Sequence, residues 1–257
     1  MATMPLTTEQ IDIGRILTRA FGAIGRNPAL FIGIAVICLI IPSQAIRMLV
    51  MPTIVSGVAP NPLTMLPYTS TVALFGVVFN VIVQAMLTHA TVTDLNGRRP
   101  LLSDCFKVAV PLILPLIGLG IVVTFGIGIG FALLFVPGVI VALMWSVAVP
   151  ALVEERSGVF ASLGRSRALT KGSRWRLFGL FLIAGILLYL PSGLISALAG
   201  GLQGARLASP VSPAAIVAGI VSGLAAMLLA TIVAAAYVEL RTVKEGATAE
   251  TLAAIFD

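Results

Sequence analysis

Residues 108–153 read VAVPLILPLIGLGIVVTFGIGIGFALLFVPGVIVALMWSVAVPALV, 46 consecutive positions without a charged side chain. At 1.5 Å per residue a helix of that length is about twice the ~30 Å hydrocarbon core of a bilayer, so one crossing cannot use it up. The cluster Gly126, Gly128 and Gly130 predicts the break, giving a tight hairpin of two helices, Val108 to Ile127 and Phe131 to Val153. Four further apolar runs flank it: Ala29 to Val50, Thr69 to His89, Leu177 to Leu198 and Ala214 to Leu240. Their continuous apolarity, with no alternation along the chain, selects helices over a barrel. The expected fold is an all-α membrane protein, one integral domain over residues 1–257 with six transmembrane helices. A mean hydropathy of +1.11 agrees, as do 59% hydrophobic and 10% charged residues, which leave too little polar surface for a water-soluble domain.

Orientation follows from the short connecting segments. Arg15, Arg19 and Arg26 precede the first run; Arg98, Arg99 and Lys107 separate the second from the third. Arg156, Arg165, Arg167, Lys171, Arg174 and Arg176 separate the fourth from the fifth, and Arg241 and Lys244 follow the sixth. Only Arg47 and Arg206 map to the other side, so both termini are expected in the cytoplasm, in a bacterial inner membrane. The net charge of +6 therefore describes one membrane face and not a nucleic-acid footprint. The first 28 residues contain Glu9, Asp12 and three arginines and no apolar core, so no cleavable signal is expected there. Cys38 and Cys105 fall in different environments and are not expected to pair.

Residues 7–26 predict an amphipathic helix. Ile13, Ile16, Leu17, Ala20, Phe21 and Ile24 share one side, and Arg15, Arg19 and Arg26 gather within about 40° on the other. Thr7 and Gln10 have capping-box spacing. Such a helix either lies in the lipid interface or packs on neighbouring cytoplasmic helices, and the two are compatible. Short helices over Leu101 to Val110 and Val159 to Leu169 precede later pairs of runs, and the tail 241–257 opens like one more. The recurrence predicts three helix-plus-hairpin units around a common centre, with weak sequence similarity among them.

Around the fourth loop, Pro150, Glu154, Gly158, Ser162, Leu163, Arg165, Ser166, Leu169, Thr170, Gly172 and Trp175 form the most specific pattern in the chain. Asp12, Gly14 and Asn27 before the first run, and Tyr237, Glu239, Leu240, Arg241, Glu245 and Gly246 after the last, extend it. On these residues the chain resembles the membrane-domain family named after glycerophosphoryl diester phosphodiesterases, bacterial six-span inner-membrane proteins. The resemblance implies the membrane fold. It does not carry the activity in the family's name, because that chemistry belongs to an attached catalytic domain built on a His-Arg pair, carboxylates and a divalent metal. Here the single histidine, His89, is followed by Ala90 and Thr91. No phosphate loop, metal motif or nucleophile elbow is present in the sequence, so no enzymatic activity, metal or cofactor is expected.

Three sets of polar residues are left to carry function. Asn80, Gln84 and Thr88 recur every four residues and form a polar stripe on the second helix, with His89 at its cytoplasmic end. Either interhelical hydrogen bonds or a substrate path would satisfy them. Glu154 and Glu239 sit at helix ends, where pairing with Arg156, Arg165 or Arg241 is expected to lock the short helices to the spans. Gly219 and Gly223 make a small-residue pair for close helix approach. Finally, Arg156, Arg165, Arg167, Lys171, Arg174 and Arg176, with Trp175, form a basic cluster suited to anionic headgroups, although such charge also serves topology alone. The expected partners are membrane phospholipids, with a membrane protein as a further candidate. The leading expectation is a non-enzymatic protein that binds or organises anionic phospholipid; the alternative is a permease-like component for a lipid or small amphiphile.

Overall fold

The computed structural model describes residues 11–42, 44–45, 62–203 and 213–256, with the side chains of 62–78, 192, 195–203, 213–215 and 247–256 left aside. Thr7, Gln10, Arg47 and Arg206 lie outside the described residues.

The first helix, α1, is Ile13–Arg26, and it opens on Asp12, whose Oδ1 accepts the N–H of Gly14 at 2.8 Å. Asn27 ends it, and Pro28 starts α2, Pro28–Ala35, at the first helical position, where its missing N–H costs nothing. The chain bends there by 92°. A π-helical turn, Val36–Ile40, carries α2 onward. Helix α3, Pro62–Leu95, is 34 residues long. Gly97, at φ 77, closes it in a conformation that favours glycine.

Helix α4, Leu102–Ala109, runs through a 3₁₀ turn at Val110–Leu112 into α5, Ile113–Leu133. Pro111 and Pro115 explain that turn, because neither can donate to the carbonyl four residues back. The hairpin turn lies at Leu134, not in the glycine cluster as its sequence predicts. Gly126 and Gly130 instead stay helical and let the two arms touch. A Cβ on Gly130 would come within 2.9 Å of the Gly138 Cα, and one on Gly126 would overlap the Trp145 ring.

The return arm is α6, Phe135–Met144, then a turn at residues 145–147, then α7, Ala148–Glu155. Pro150 accounts for this break, since it has no N–H for the Ser146 carbonyl. Helix α8, Val159–Thr170, is followed by the turn 171–173, with Gly172 at φ 87. Helices α9, Arg174–Gln203, and α10, Pro213–Phe256, complete the described chain. The tail after Leu240 is thus a direct continuation of α10 and not a separate helix.

Among the described residues four helical segments are long and apolar enough to cross a membrane, and five if the bent pair α1 and α2 is counted as one. The protein is a multi-pass helical membrane protein. The three opening segments differ from one another: a 92° bend after α1, a continuous 3₁₀ join after α4, and a three-residue turn after α8. Two clusters of buried side chains hold the bundle. One centres on Phe31, Met86, Leu87, Leu119 and Leu152. The other centres on Ile16, Val147, Leu177, Leu180, Tyr237 and Leu240, and so joins α1 to the start of α9 and the middle of α10.

Candidate functional site

Ion pairs tie α1 to α3 and α10. Glu239, on α10, receives Arg19 Nη1 at 2.5 Å, while Arg15 Nε stands 2.6 Å from its other oxygen at an angle that makes no hydrogen bond. Asp94, near the end of α3, takes Arg26 Nε at 3.1 Å and Asn27 Nδ2 at 2.7 Å. The hydrogen bond to Asp94 raises the Arg26 pKa above its ordinary value, so this guanidinium stays charged. The arginine side of α1 therefore faces buried carboxylates, and Ile16, Ala20 and Ala23 pack inward beside it, while Phe21 remains exposed.

Glu154 and Glu239 are both paired, but with partners other than those expected. Glu154 Oε1 lies 3.3 Å from His89 Nδ1, and it is Glu155 that meets Arg165, at 2.8 Å. One residue along a helix turns a side chain by about 100°, which is why the neighbouring carboxylate wins this contact. Glu155 also accepts the Tyr237 hydroxyl at 2.8 Å, and Arg165 pairs in turn with Glu245, which Arg241 holds at 2.7 Å. The hydrogen bonds that Arg165 donates to Glu155 and Glu245 push its pKa further up, so this guanidinium is a permanent structural cation.

Arg165 is thereby removed from the set of cations free to meet a ligand. Arg176 donates to the Ile11 carbonyl at 3.0 Å. Arg156, Arg167 and Lys171 are exposed, and their side chains have no ion pair among the described residues. Trp175 is 86% exposed and stacks edge-on against Phe178. Arg174 is half-buried, and its Nε is fully covered without a hydrogen-bond partner. A groove of about 310 Å³ runs from Arg174, Trp175 and Phe178 on α9 along Leu143, Ile140, Val139, Val136 and Phe135 on α6. Its lining is apolar except at the Arg174 end.

Helix α8 is held by hydroxyls. Ser166 Oγ donates to the Met144 carbonyl at 2.8 Å, and Thr170 Oγ1 reaches the same carbonyl at 3.4 Å. The break at 145–147 frees that carbonyl, so the residues spaced four apart on α8 have a local task. The sequence marked Ser162, Ser166 and Thr170 as part of the specific loop pattern without assigning them partners.

The polar stripe faces a second cavity, of about 200 Å³, in the bundle. Asn80, Gln84 and Thr88 line it with Ser146, Pro150, Tyr189 and Val233. Gln84 Nε2 donates to Asn80 Oδ1 at 3.0 Å, so part of the stripe's polarity is satisfied within α3. The small-residue pair serves packing: Gly223 makes room for Ile40, and Gly219 for Gln44, whose Nε2 reaches the Ile216 carbonyl at 3.2 Å. Among the described residues no three His, Cys, Asp or Glu side chains are placed to hold a metal ion.

Comparison with curated proteins gives no match. Comparison with solved structures gives none either. A family model described as "Domain of unknown function (DUF7847)" matches residues 11–240, a stretch that runs from the first described residue of the α1 cap to the end of the Glu239 ion pair. The match covers most of the chain, and the protein belongs to the DUF7847 family.

Proposed function

We propose that this protein is a non-enzymatic membrane protein that binds anionic phospholipid of the cytoplasmic leaflet, with Arg167, Lys171 and Arg174 at the headgroup and the groove along α6 for one acyl chain. The single observation that carries the reading is Arg174. A guanidinium with a covered, unpartnered Nε, at the polar end of an otherwise apolar groove, is complementary to an anion that carries a hydrocarbon chain. The exposed cations beside it add long-range attraction of about 1 kcal/mol each near an anionic surface, and Trp175 has the side chain that prefers the interfacial depth. The same reading takes both termini as cytoplasmic, the membrane as a bacterial inner membrane, and the resemblance to the phosphodiesterase membrane domains as kinship without the catalytic chemistry.

The test is native mass spectrometry of protein extracted gently from its own membrane, with lipid identification by fragmentation. Replacing Arg167, Lys171 and Arg174 together by Gln is expected to remove co-purified anionic lipid while leaving membrane insertion intact. Wild-type lipid content in that variant would overturn the reading. Arg165 is kept in this design because its loss would open the Glu155 and Glu245 contacts.

A second reading, a permease-like role for a small amphiphile, draws on the cavity lined by Asn80, Gln84 and Thr88. Its volume of about 200 Å³ lies below the ~300–1,000 Å³ of drug-sized ligand sites, which favours water or a small solute over a phospholipid. Replacing Asn80 and Gln84 by Leu is expected to abolish flux of such a solute into proteoliposomes, and wild-type flux would remove the idea.

A further inference from the structure

Length and apolarity alone allow both arms of the α5 and α6 hairpin to cross the membrane. Their contacts set a shorter reach. Ser166 and Thr170 both bond the Met144 carbonyl, and the residues that follow directly are Lys171, Arg174, Trp175 and Arg176. Met144 therefore lies at the depth of the basic turn. Basic residues beside an exposed tryptophan belong at the cytoplasmic interface, since a position in the hydrocarbon would cost each charge about 2.5–3.5 kcal/mol or more. From Met144 to the turn at Leu134 there are ten residues of helix. At 1.5 Å each they reach about 15 Å, half of a ~30 Å hydrocarbon core. The groove gives an independent measure of the same reach: Phe135, the first residue past the turn, lines one groove of about 310 Å³ with Arg174 and Trp175.

The tip has the chemistry of that depth. Between Phe125 and Met144 no side chain carries a polar group. Leu133, Leu134 and Phe135 at the turn are 72%, 69% and 71% exposed, so the most uncovered part of the hairpin is wholly apolar. A turn that emerged into water on the far side would ordinarily be polar. The turn is also economical in open backbone groups, as hydrocarbon requires. Only Leu134 departs from helix; its N–H bonds the Gly130 carbonyl at 3.1 Å, its carbonyl accepts from Gly138 at 3.3 Å, and Pro137 brings no N–H.

We infer that α6 and the outer half of α5 form a re-entrant hairpin, which enters from the cytoplasmic side, turns at Leu134 near the middle of the bilayer, and returns. The hairpin then adds no crossing of its own and wedges apolar volume into the cytoplasmic leaflet alone. A hairpin contributes either two crossings or none, so the sidedness of the termini is the same in either case. Reporter fusions at the ends therefore cannot decide it, and the probe has to sit at the tip.

Leu134→Cys and, separately, Ile129→Cys place a thiol on exposed tip positions, with the unsubstituted protein as blank because Cys38 and Cys105 are buried. The full-length protein is labelled in right-side-out vesicles with a membrane-impermeant maleimide, and in a second experiment carries a nitroxide in phosphatidylcholine and phosphatidylglycerol liposomes. The expected result is maleimide labelling no higher than the blank from the outer side at Leu134→Cys. The nitroxide there should show the highest oxygen and lowest nickel-chelate accessibility of the series, with Ile129→Cys shallower. Labelling of Leu134→Cys from outside, or nickel-chelate accessibility at that site typical of water, would overturn the inference. Lipid retention is measured on the same samples and reports on the lipid-binding reading alone.

Discussion

Arg19 and Glu239 stand 220 residues apart in sequence, yet Arg19 Nη1 donates to the Glu239 carboxylate at 2.5 Å, and that carboxylate is 1% exposed. The contact fastens the amphipathic helix α1 to the middle of α10, where its apolar run ends. Glu239→Gln is expected to lower stability by about 2 kcal/mol, less than the ~3–5 kcal/mol of a fully buried pair because both arginines are partly solvated. Thermal unfolding in mild detergent checks it. Arg15→Gln should cost less than Arg19→Gln, because only Arg19 makes a hydrogen bond to the carboxylate; equal losses would show that the contact is purely Coulombic.

Neutralising the basic loop one residue at a time should separate structural cations from lipid-binding ones. Arg165→Gln is expected to destabilise the protein and leave retained lipid per folded molecule unchanged, because its guanidinium is occupied by Glu155 and Glu245. Arg174→Gln should do the reverse. Native mass spectrometry and thermal unfolding on the same two samples decide between these outcomes. Arg165→Lys should recover little stability, since an ammonium lacks the fork that reaches two carboxylates.

Ser166→Ala removes the better of the two donors to the Met144 carbonyl and is expected to cost about 1 kcal/mol, the usual net worth of such a bond. Thr170→Ala should cost less at this carbonyl, as its 3.4 Å contact is longer. Comparing the two variants by thermal unfolding checks the order.

Gly130→Leu forces a side chain against Gly138, and Gly126→Leu forces one against Trp145. Each is expected to destabilise by about 1–3 kcal/mol through overpacking and to splay the hairpin arms. Trp145 fluorescence should shift in Gly126→Leu. Gly128→Leu, where a Cβ meets nothing within 4 Å, should leave both stability and fluorescence near wild type.

Helical class, apolar segments and charge asymmetry could all be read from the chain, because each depends on composition over about 20 consecutive residues, which lipid and water sort without reference to the rest of the fold. The 46-residue apolar run likewise had to contain a hairpin. Its turn was misplaced, because Gly126 and Gly130 are equally suited to ending a helix and to letting two helices touch, and only the positions of Gly138 and Trp145 select the second. Glu154 and Glu239 were recognised as paired groups, but their partners depend on helix rotation, which hands Arg165 to Glu155 and leaves Glu154 to His89. The free and occupied members of the basic cluster look alike in sequence, since all are positive residues in one loop. Tertiary packing alone occupied Arg165 with two carboxylates, left the Arg174 Nε covered and without a hydrogen-bond partner beside an apolar groove, and tied Met144 to the basic turn, because these outcomes depend on distances between helices that no local pattern encodes.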